Sequence, residues 1–281
     1  MAAPAAEPPE TRHSQSAEGR TAAELTSPPS SGQRQGFAEH ASAQPQPAGY
    51  AEPAVGRGAG GWCVSSRNKS VALDFGGYLK GVALDRAAAL LKQDGVTNAL
   101  INIGGNVMAL GTRDAKAGGA SWRVGIQHPR PQGVGGAPLA SLDLRDGEAI
   151  GTSGDYHRYF EVAGRRYCHL LDPRTGFPAD ATQAVTILIA PGSGAGAFAL
   201  RDGDAASRAV NAWDSPSGAG MRSDALSKPL FVAGAEWRAM AGKLGVEAVL
   251  RVGSDGTVSA TPAMKARLKI EVPDLKLEVV P

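Results

Sequence analysis

The chain has 281 residues, 42% of them hydrophobic and 20% charged, enough for one good-sized domain with its own core. A formal net charge of +2 argues against a nucleic-acid partner held by a broad basic field. No apolar stretch approaches the length of a membrane span, and the two cysteines, Cys63 and Cys168, form neither a metal pattern nor a disulfide framework.

Residues 1–65 are dominated by Pro, Ala, Ser, Gln, Gly and Glu, with no periodic apolar pattern. Such a segment cannot bury enough apolar surface to offset its ordering entropy, so it reads as disordered. Glu7, Glu10 and Arg12 fall where a secretory signal would need an apolar core. On that basis the chain reads as cytoplasmic, unless its start is truncated.

Residues 66–281 read as one folded domain. Asp74-Phe75-Gly76-Gly77-Tyr78-Leu79-Lys80-Gly81 leads into a helix from Val82 to Asp94. Val82, Leu84, Ala87, Leu90 and Leu91 recur there at near-helical spacing, and Gly95 is the expected stop. Ala99 to Asn102 and Val107 to Leu110 form a hairpin across Gly104-Gly105-Asn106. Trp122 to Gln127 and Leu139 to Leu144 alternate as further strands. Tyr159 to Val162 and Arg166 to Leu171 pair across the Ala163-Gly164 turn. Ala184 to Ile189 is strand-like and runs into a Gly-rich insertion at about 192–220, long for a compact domain. Within it, Asp202, Gly203 and Asp204 lack the full ligand spacing of a calcium loop. Ala235 to Leu244 is expected as a helix, Val246 to Val252 as a strand, and Ser254-Asp255-Gly256 as a turn into Thr257 to Ala260. Hairpins punctuated by helices argue for an α+β domain with a largely antiparallel sheet and flanking helices.

Three places carry chemistry. Gly76 and Gly77 sit between a strand end and a helix start, where missing Cβ atoms and free N–H groups suit an anion, although a plain tight turn explains them equally well alone. Around the second hairpin, Thr152 and Ser153 precede it and His169-Leu170-Leu171-Asp172-Pro173-Arg174-Thr175-Gly176 follows. A histidine there is suited to base catalysis at neutral pH. Cys168 reads as a half-buried strand cysteine rather than a nucleophile. Ser223-Asp224-Ala225-Leu226-Ser227-Lys228 offers a carboxylate and a hydroxyl to a hard cation. Pro229 follows at once, at a cost inside a helix; one repair is a helix that restarts here with Ser227 as its N-cap, which would turn Ser227 away from a metal.

In this order, the Asp-x-Gly-Gly segment, Asn102-Ile103-Gly104-Gly105-Asn106, the hairpin histidine with its Asp-Pro-x-Thr-Gly turn, and Ser-Asp-Ala-Leu resemble the FAD:protein FMN transferase (ApbE) family. The resemblance runs from about Leu73 to the C-terminus. It implies a T-fold-like, ApbE-like arrangement with the flavin held between helices and sheet. It further implies that Asp74, Lys80 and Leu171 contact FAD, that His169 is the catalytic base, and that Gly77 (through its carbonyl), Asp224 and Ser227 hold Mg²⁺. The implied reaction is Mg²⁺-dependent transfer of FMN from FAD to a Thr or Ser hydroxyl of an acceptor flavoprotein, with release of AMP. Three departures stand against it. No counterpart of the family's N-terminal FAD-contacting portion occurs in residues 1–65, Asn106 stands where many members carry Asp, and Lys228 replaces a family Thr. The alternative reading is therefore a catalytically degenerate flavin- or nucleotide-binding module, or a truncated inactive member. The acceptor, the compartment and the oligomeric state are not legible.

Overall fold

A computed structural model describes residues 54–58, 61–66, 74–114, 119–130, 137–192 and 218–281. The chain divides into two compact units, Met1–Ser70 and Val71–Pro281. In the first, β1 (Ala54–Gly58) and β2 (Gly61–Ser65) pair antiparallel. Here the structure differs from the expectation of disorder across 1–65. Residues 1–53 lie outside the described residues.

The second unit opens with α1 (Leu79–Gln93), three residues earlier than the apolar periodicity suggested. It stops at Asp94-Gly95, where Gly95 takes the left-handed conformation (φ +80°) that glycine adopts without strain. The strands that follow are β3 (Ala99–Ile103), β4 (Asn106–Leu110), β5 (Trp122–Ile126), β6 (Ala140–Leu144) and β7 (Ala149–Gly154). The hairpin strands are β8 (Tyr159–Val162) and β9 (Arg165–Cys168), followed by β10 (Thr182–Ile189). After α2 (Ala219–Val232), a short turn of 3₁₀ helix (Gly234–Glu236) leads into α3 (Trp237–Leu244). The chain ends through β11 (Ala248–Gly253), β12 (Val258–Ala260), the one-turn α4 (Pro262–Lys265), β13 (Leu268–Ile270) and β14 (Leu277–Val279). The insertion expected at 192–220 falls mostly on residues 193–217, outside the described residues, as does Asp202-Gly203-Asp204.

Seven strands form the main sheet in the order β14-β12-β11-β10-β7-β4-β3, antiparallel except for the β12–β14 edge pair. A three-stranded sheet, β13-β6-β5, lies beyond it, and β8-β9 stands as a separate hairpin. Strand alternation explains the layering. Met108, Leu110, Val185, Ile187 and Ile189 join Leu84, Leu226, Leu230, Phe231 and Trp237 in a core on the helix side. Val107, Ala109, Ile150, Ala184 and Leu188 face the other way, joining Val124, Ile126, Leu142 and Leu144. The expected α+β class with a largely antiparallel sheet is the fold observed.

Two close approaches set α2 against its neighbours. A Cβ on Gly151 of β7 would lie 2.2 Å from the Ser223 carbonyl oxygen, and one on Gly81 of α1 would lie 2.2 Å from that of Gly220. Glycine at both places lets backbone meet backbone. The buried Asp85 of α1 completes the join, accepting hydrogen bonds from the Gly220 and Met221 amides at 2.9 and 2.8 Å. These amides belong to the first turn of α2, which has no partners of its own for them.

On the far side of the domain, Arg267 grips the buried Glu148 with two 2.8 Å bonds and reaches the Asp143 carbonyl at 2.7 Å, tying the β6–β7 turn to β13. Burial, the largest single influence on Glu148, raises its pKa. The Arg267 guanidinium and the Arg145 amide together outweigh it, so the carboxyl ends below the ordinary range. A depressed carboxyl contributes stability above its unfolded value of about 4.3 and loses it as pH falls through the folded value. Glu148→Gln should therefore lower the melting temperature at pH 7. The gap to the parent should close as pH drops below about 4. A gap that stays constant in melts across pH 3–7 would contradict this assignment.

Candidate functional site

The turn before α1 is built on local polar bonds. Asp74 Oδ1 accepts the Gly76 amide at 2.7 Å, and the Phe75 carbonyl accepts the Tyr78 and Leu79 amides, each at 3.2 Å. This Asx-type turn carries Gly77 towards α2, where the nearest atoms to a Cβ on Gly77 would be the Lys228 Cδ and Cε, at 3.7 and 3.8 Å. The helix that follows brings Lys80 and the Gly81 amide to the same place.

There, Asp224 is 1% exposed and both its oxygens are engaged. Oδ2 accepts the Gly81 amide at 3.1 Å. Oδ1 lies 2.6 Å from Lys228 Nζ and 3.7 Å from Lys80 Nζ. The Lys228 ammonium also donates to the Asp224 carbonyl at 2.7 Å. Burial pulls the Lys228 pKa below the ordinary lysine value, the Asp224 carboxylate opposes it, and the Lys80 charge adds to the lowering. Lys80 is 39% exposed on its side chain and crosses Gly104, where a Cβ would sit 3.0 Å from Lys80 Cδ. So the glycine turn, Gly104, Lys80, Asp224 and Lys228 form one contiguous cluster across α1, the β3–β4 turn and α2.

Ser227 belongs to the same cluster, and the alternative of a helix restarting at Ser227 is not what the structure has. α2 runs unbroken through Pro229, and Ser227 sits inside it rather than at an N-cap. Proline at 229 deprives the Ala225 carbonyl of its helical donor and strains that turn. The neighbouring Asp224 carbonyl is held by two side chains, Ser227 Oγ at 2.8 Å and Lys228 Nζ. With its proton given to Asp224, Ser227 Oγ accepts from Ser153 Oγ at 2.8 Å, which links β7 to α2.

The residues as they stand do not fit a magnesium ion. Asp224 Oδ1, the oxygen a cation would take, already faces an ammonium, and the Ser227 hydroxyl is engaged with Asp224 and Ser153. Among the described residues no group of three His, Cys, Asp or Glu side chains is placed to hold a metal.

His169 and Leu171 lie on the other limb. β9 ends at Cys168, so His169 falls just past the strand rather than on it. Its amide donates to the Arg158 carbonyl at 3.2 Å, and its Nδ1 lies at the same distance from that oxygen. His169 and Leu171 are exposed. Among the described residues no hydrogen bond or ion pair joins His169 or Leu171 to the Asp224 cluster, and Asp74 is tied to it only through the Gly76 amide of the turn. Arg174 is turned to other work: it grips Asp172 at 2.7 Å and reaches the Val232 carbonyl at the end of α2. Thr152 pairs with Thr186 across the sheet at 2.9 Å. Cys168 is buried, its thiol pushed up by that burial and its Sγ directed at the Ala179 carbonyl at 3.4 Å, as expected of an inert strand cysteine.

A model of the ApbE family matches residues 28–209. The chain belongs to the ApbE family. That match takes in Asp74, Gly77, Lys80, His169 and Leu171 and ends before Asp224 and Ser227. The chain is 40% identical over 210 residues to the FAD:protein FMN transferase of Rhodobacter capsulatus, covering 74% of this chain and 33% of that protein. It is 40% identical over 126 residues to that of Treponema pallidum, covering 43% and 34%. Among solved structures, the ApbE protein of Thermotoga maritima superposes with a TM-score of 0.57 at 30% identity, over 76% of this chain and 58% of that one. The flavinyl transferase ApbE of Pseudomonas stutzeri superposes at 0.53 and 29%, over 78% and 57%. The chain thus spans about a third of the length of these curated relatives.

Within this ApbE-family domain, the sequence singled out Asp74, Gly77, Lys80, His169, Leu171, Asp224 and Ser227; Gly77, Lys80, Asp224 and Ser227 lie in the cluster, Asp74 holds the turn that carries Gly77, and His169 and Leu171 lie apart. Sequence reasoning missed Asp85 and treated Lys228 as a misfit. The signal for Lys228 was available: it stands four residues after Asp224, the spacing at which helical side chains meet.

Proposed function

We propose that this chain carries the flavin-transferring chemistry named in its relatives, moving FMN from FAD to a Thr or Ser hydroxyl of an acceptor flavoprotein. The convergence of Lys80, Lys228 and the Gly81 turn on Asp224 carries the proposal. Two ammonium groups against one carboxylate leave an excess positive charge at the start of a helix, which complements a diphosphate. The acceptor oxygen attacks the FMN-side phosphorus, a new P–O bond forms, and the bond to the bridging oxygen breaks. AMP leaves with that oxygen, and His169 takes the hydroxyl proton. Positioning and charge neutralisation supply most of the catalysis in such a transfer. Asp74 orders the glycine turn that leads into α1, Lys80 meets the phosphates, and Leu171 offers an exposed apolar side chain to the flavin. In the mechanism implied by the family resemblance, magnesium neutralises this charge. No step is assigned to magnesium at Gly77, Asp224 and Ser227 here, because Lys228 holds the carboxylate.

The full chain incubated with FAD and an acceptor peptide should yield AMP and a peptide heavier by one FMN, read by chromatography and mass spectrometry. His169→Ala should lower the rate by about 10²-fold or more, the usual contribution of a positioned base, while FAD binding persists. FAD binding by the parent without AMP release would instead identify a degenerate binding module. A His169→Ala variant with unchanged turnover would remove the base from the mechanism.

A further inference from the structure

We propose that the Lys228 ammonium is a tethered substitute for a divalent cation, so that the site accepts a diphosphate without a metal bound at Asp224. The proposal rests on the diphosphate ligand argued above and goes beyond it by assigning the counterion. An exposed i,i+4 pair on a helix would need no such explanation, since pairs of that kind merely decorate a surface. This pair is different in three respects. The carboxylate is 1% exposed, and the lysine side chain only 23%. The ammonium lies 2.6 Å from Oδ1 and bonds the Asp224 carbonyl as well, so one cation takes two oxygens of one residue, as a small hard ion would. A second lysine, Lys80, approaches the same oxygen at 3.7 Å, although one ammonium already balances the carboxylate. Like charges gathered this way are unfavourable until an anion joins them. The excess charge, at the positive end of the α1 dipole, therefore points to a dianionic or more highly charged ligand.

Mn²⁺ binding by the full chain, followed by loss of the free-ion electron paramagnetic resonance signal without FAD, tests the counterion directly. It does not depend on whether flavin is transferred. The parent should leave the signal intact at micromolar Mn²⁺. Lys228→Thr should bind one equivalent, and Asp224→Ala in that background should abolish the gain. One equivalent bound by the parent and lost in Asp224→Ala would overturn the proposal. So would a folded Lys228→Thr that gains nothing. Should that variant not fold, pyrophosphate titrated calorimetrically into the parent in EDTA decides the matter. Binding there, weakened at least tenfold in Lys80→Met, is expected, and no binding without a divalent cation would overturn the proposal. Pyrophosphate binding without AMP release from FAD would count against the flavin transfer alone.

Discussion

Gly81→Ala should destabilise the folded domain by about 3 kcal/mol or more, equivalent to roughly 10 °C in melting temperature for a unit of this size. The added methyl would sit 2.2 Å from the Gly220 oxygen and 2.6 Å from the Met221 Cα. Those are backbone atoms, which cannot swing aside as the tip of a side chain can. Gly220 is no easier to change, since its own Cβ would lie 2.6 Å from the Gly81 oxygen. Parting the helices also lengthens the bond from the Gly81 amide to Asp224 and the two from Asp85 to the start of α2. Helix propensity alone predicts the opposite sign, because alanine in a helix is favoured over glycine by about 1 kcal/mol. A variant as stable as the parent, or more so, would show that the helices are not held in backbone contact. FAD affinity should fall along with stability, since the same contact assembles the cluster.

Asp224→Ala should have the second large effect. It strips Lys228 of its counterion, leaves a mostly buried ammonium facing Lys80, and frees the Gly81 amide. Breaking a buried pair by removing one partner costs about 3–5 kcal/mol. Because Lys228 is not fully enclosed, about 2–3 kcal/mol is the expected loss here. Chemical denaturation of Asp224→Ala, Lys228→Met and the double variant separates the pair from its surroundings. The double variant should recover part of the loss, giving a coupling of about 1 kcal/mol or more. Additive losses would mean that the two side chains do not depend on each other.

Much of the architecture was legible because the turns announce themselves. Gly95, Gly104-Gly105, Ala163-Gly164 and Asp255-Gly256 each punctuate an element where the structure has one. The sheet order was not legible. β10 lies between β7 and β11, and nothing along the chain states which buried strand pairs with which. The short strands Leu268–Ile270 and Leu277–Val279 were missed because three residues carry too little alternation to register. Pro229 misled in a more instructive way. A helix interior normally rejects proline, which made a restart at Ser227 one way to accommodate it, yet the helix continues through Pro229. A residue-by-residue comparison with a family pattern sees Lys228 only as a departure, although its side chain helps build the candidate site.

A crystal of the full chain grown with FAD tests the central idea most directly: where the diphosphate lies. It should rest against the ammonium groups of Lys80 and Lys228 at the head of α1, with Asp224 behind them. FAD seated in the groove between Arg174, Phe177 and Val232, or anywhere else that leaves those two lysines untouched, would contradict the account.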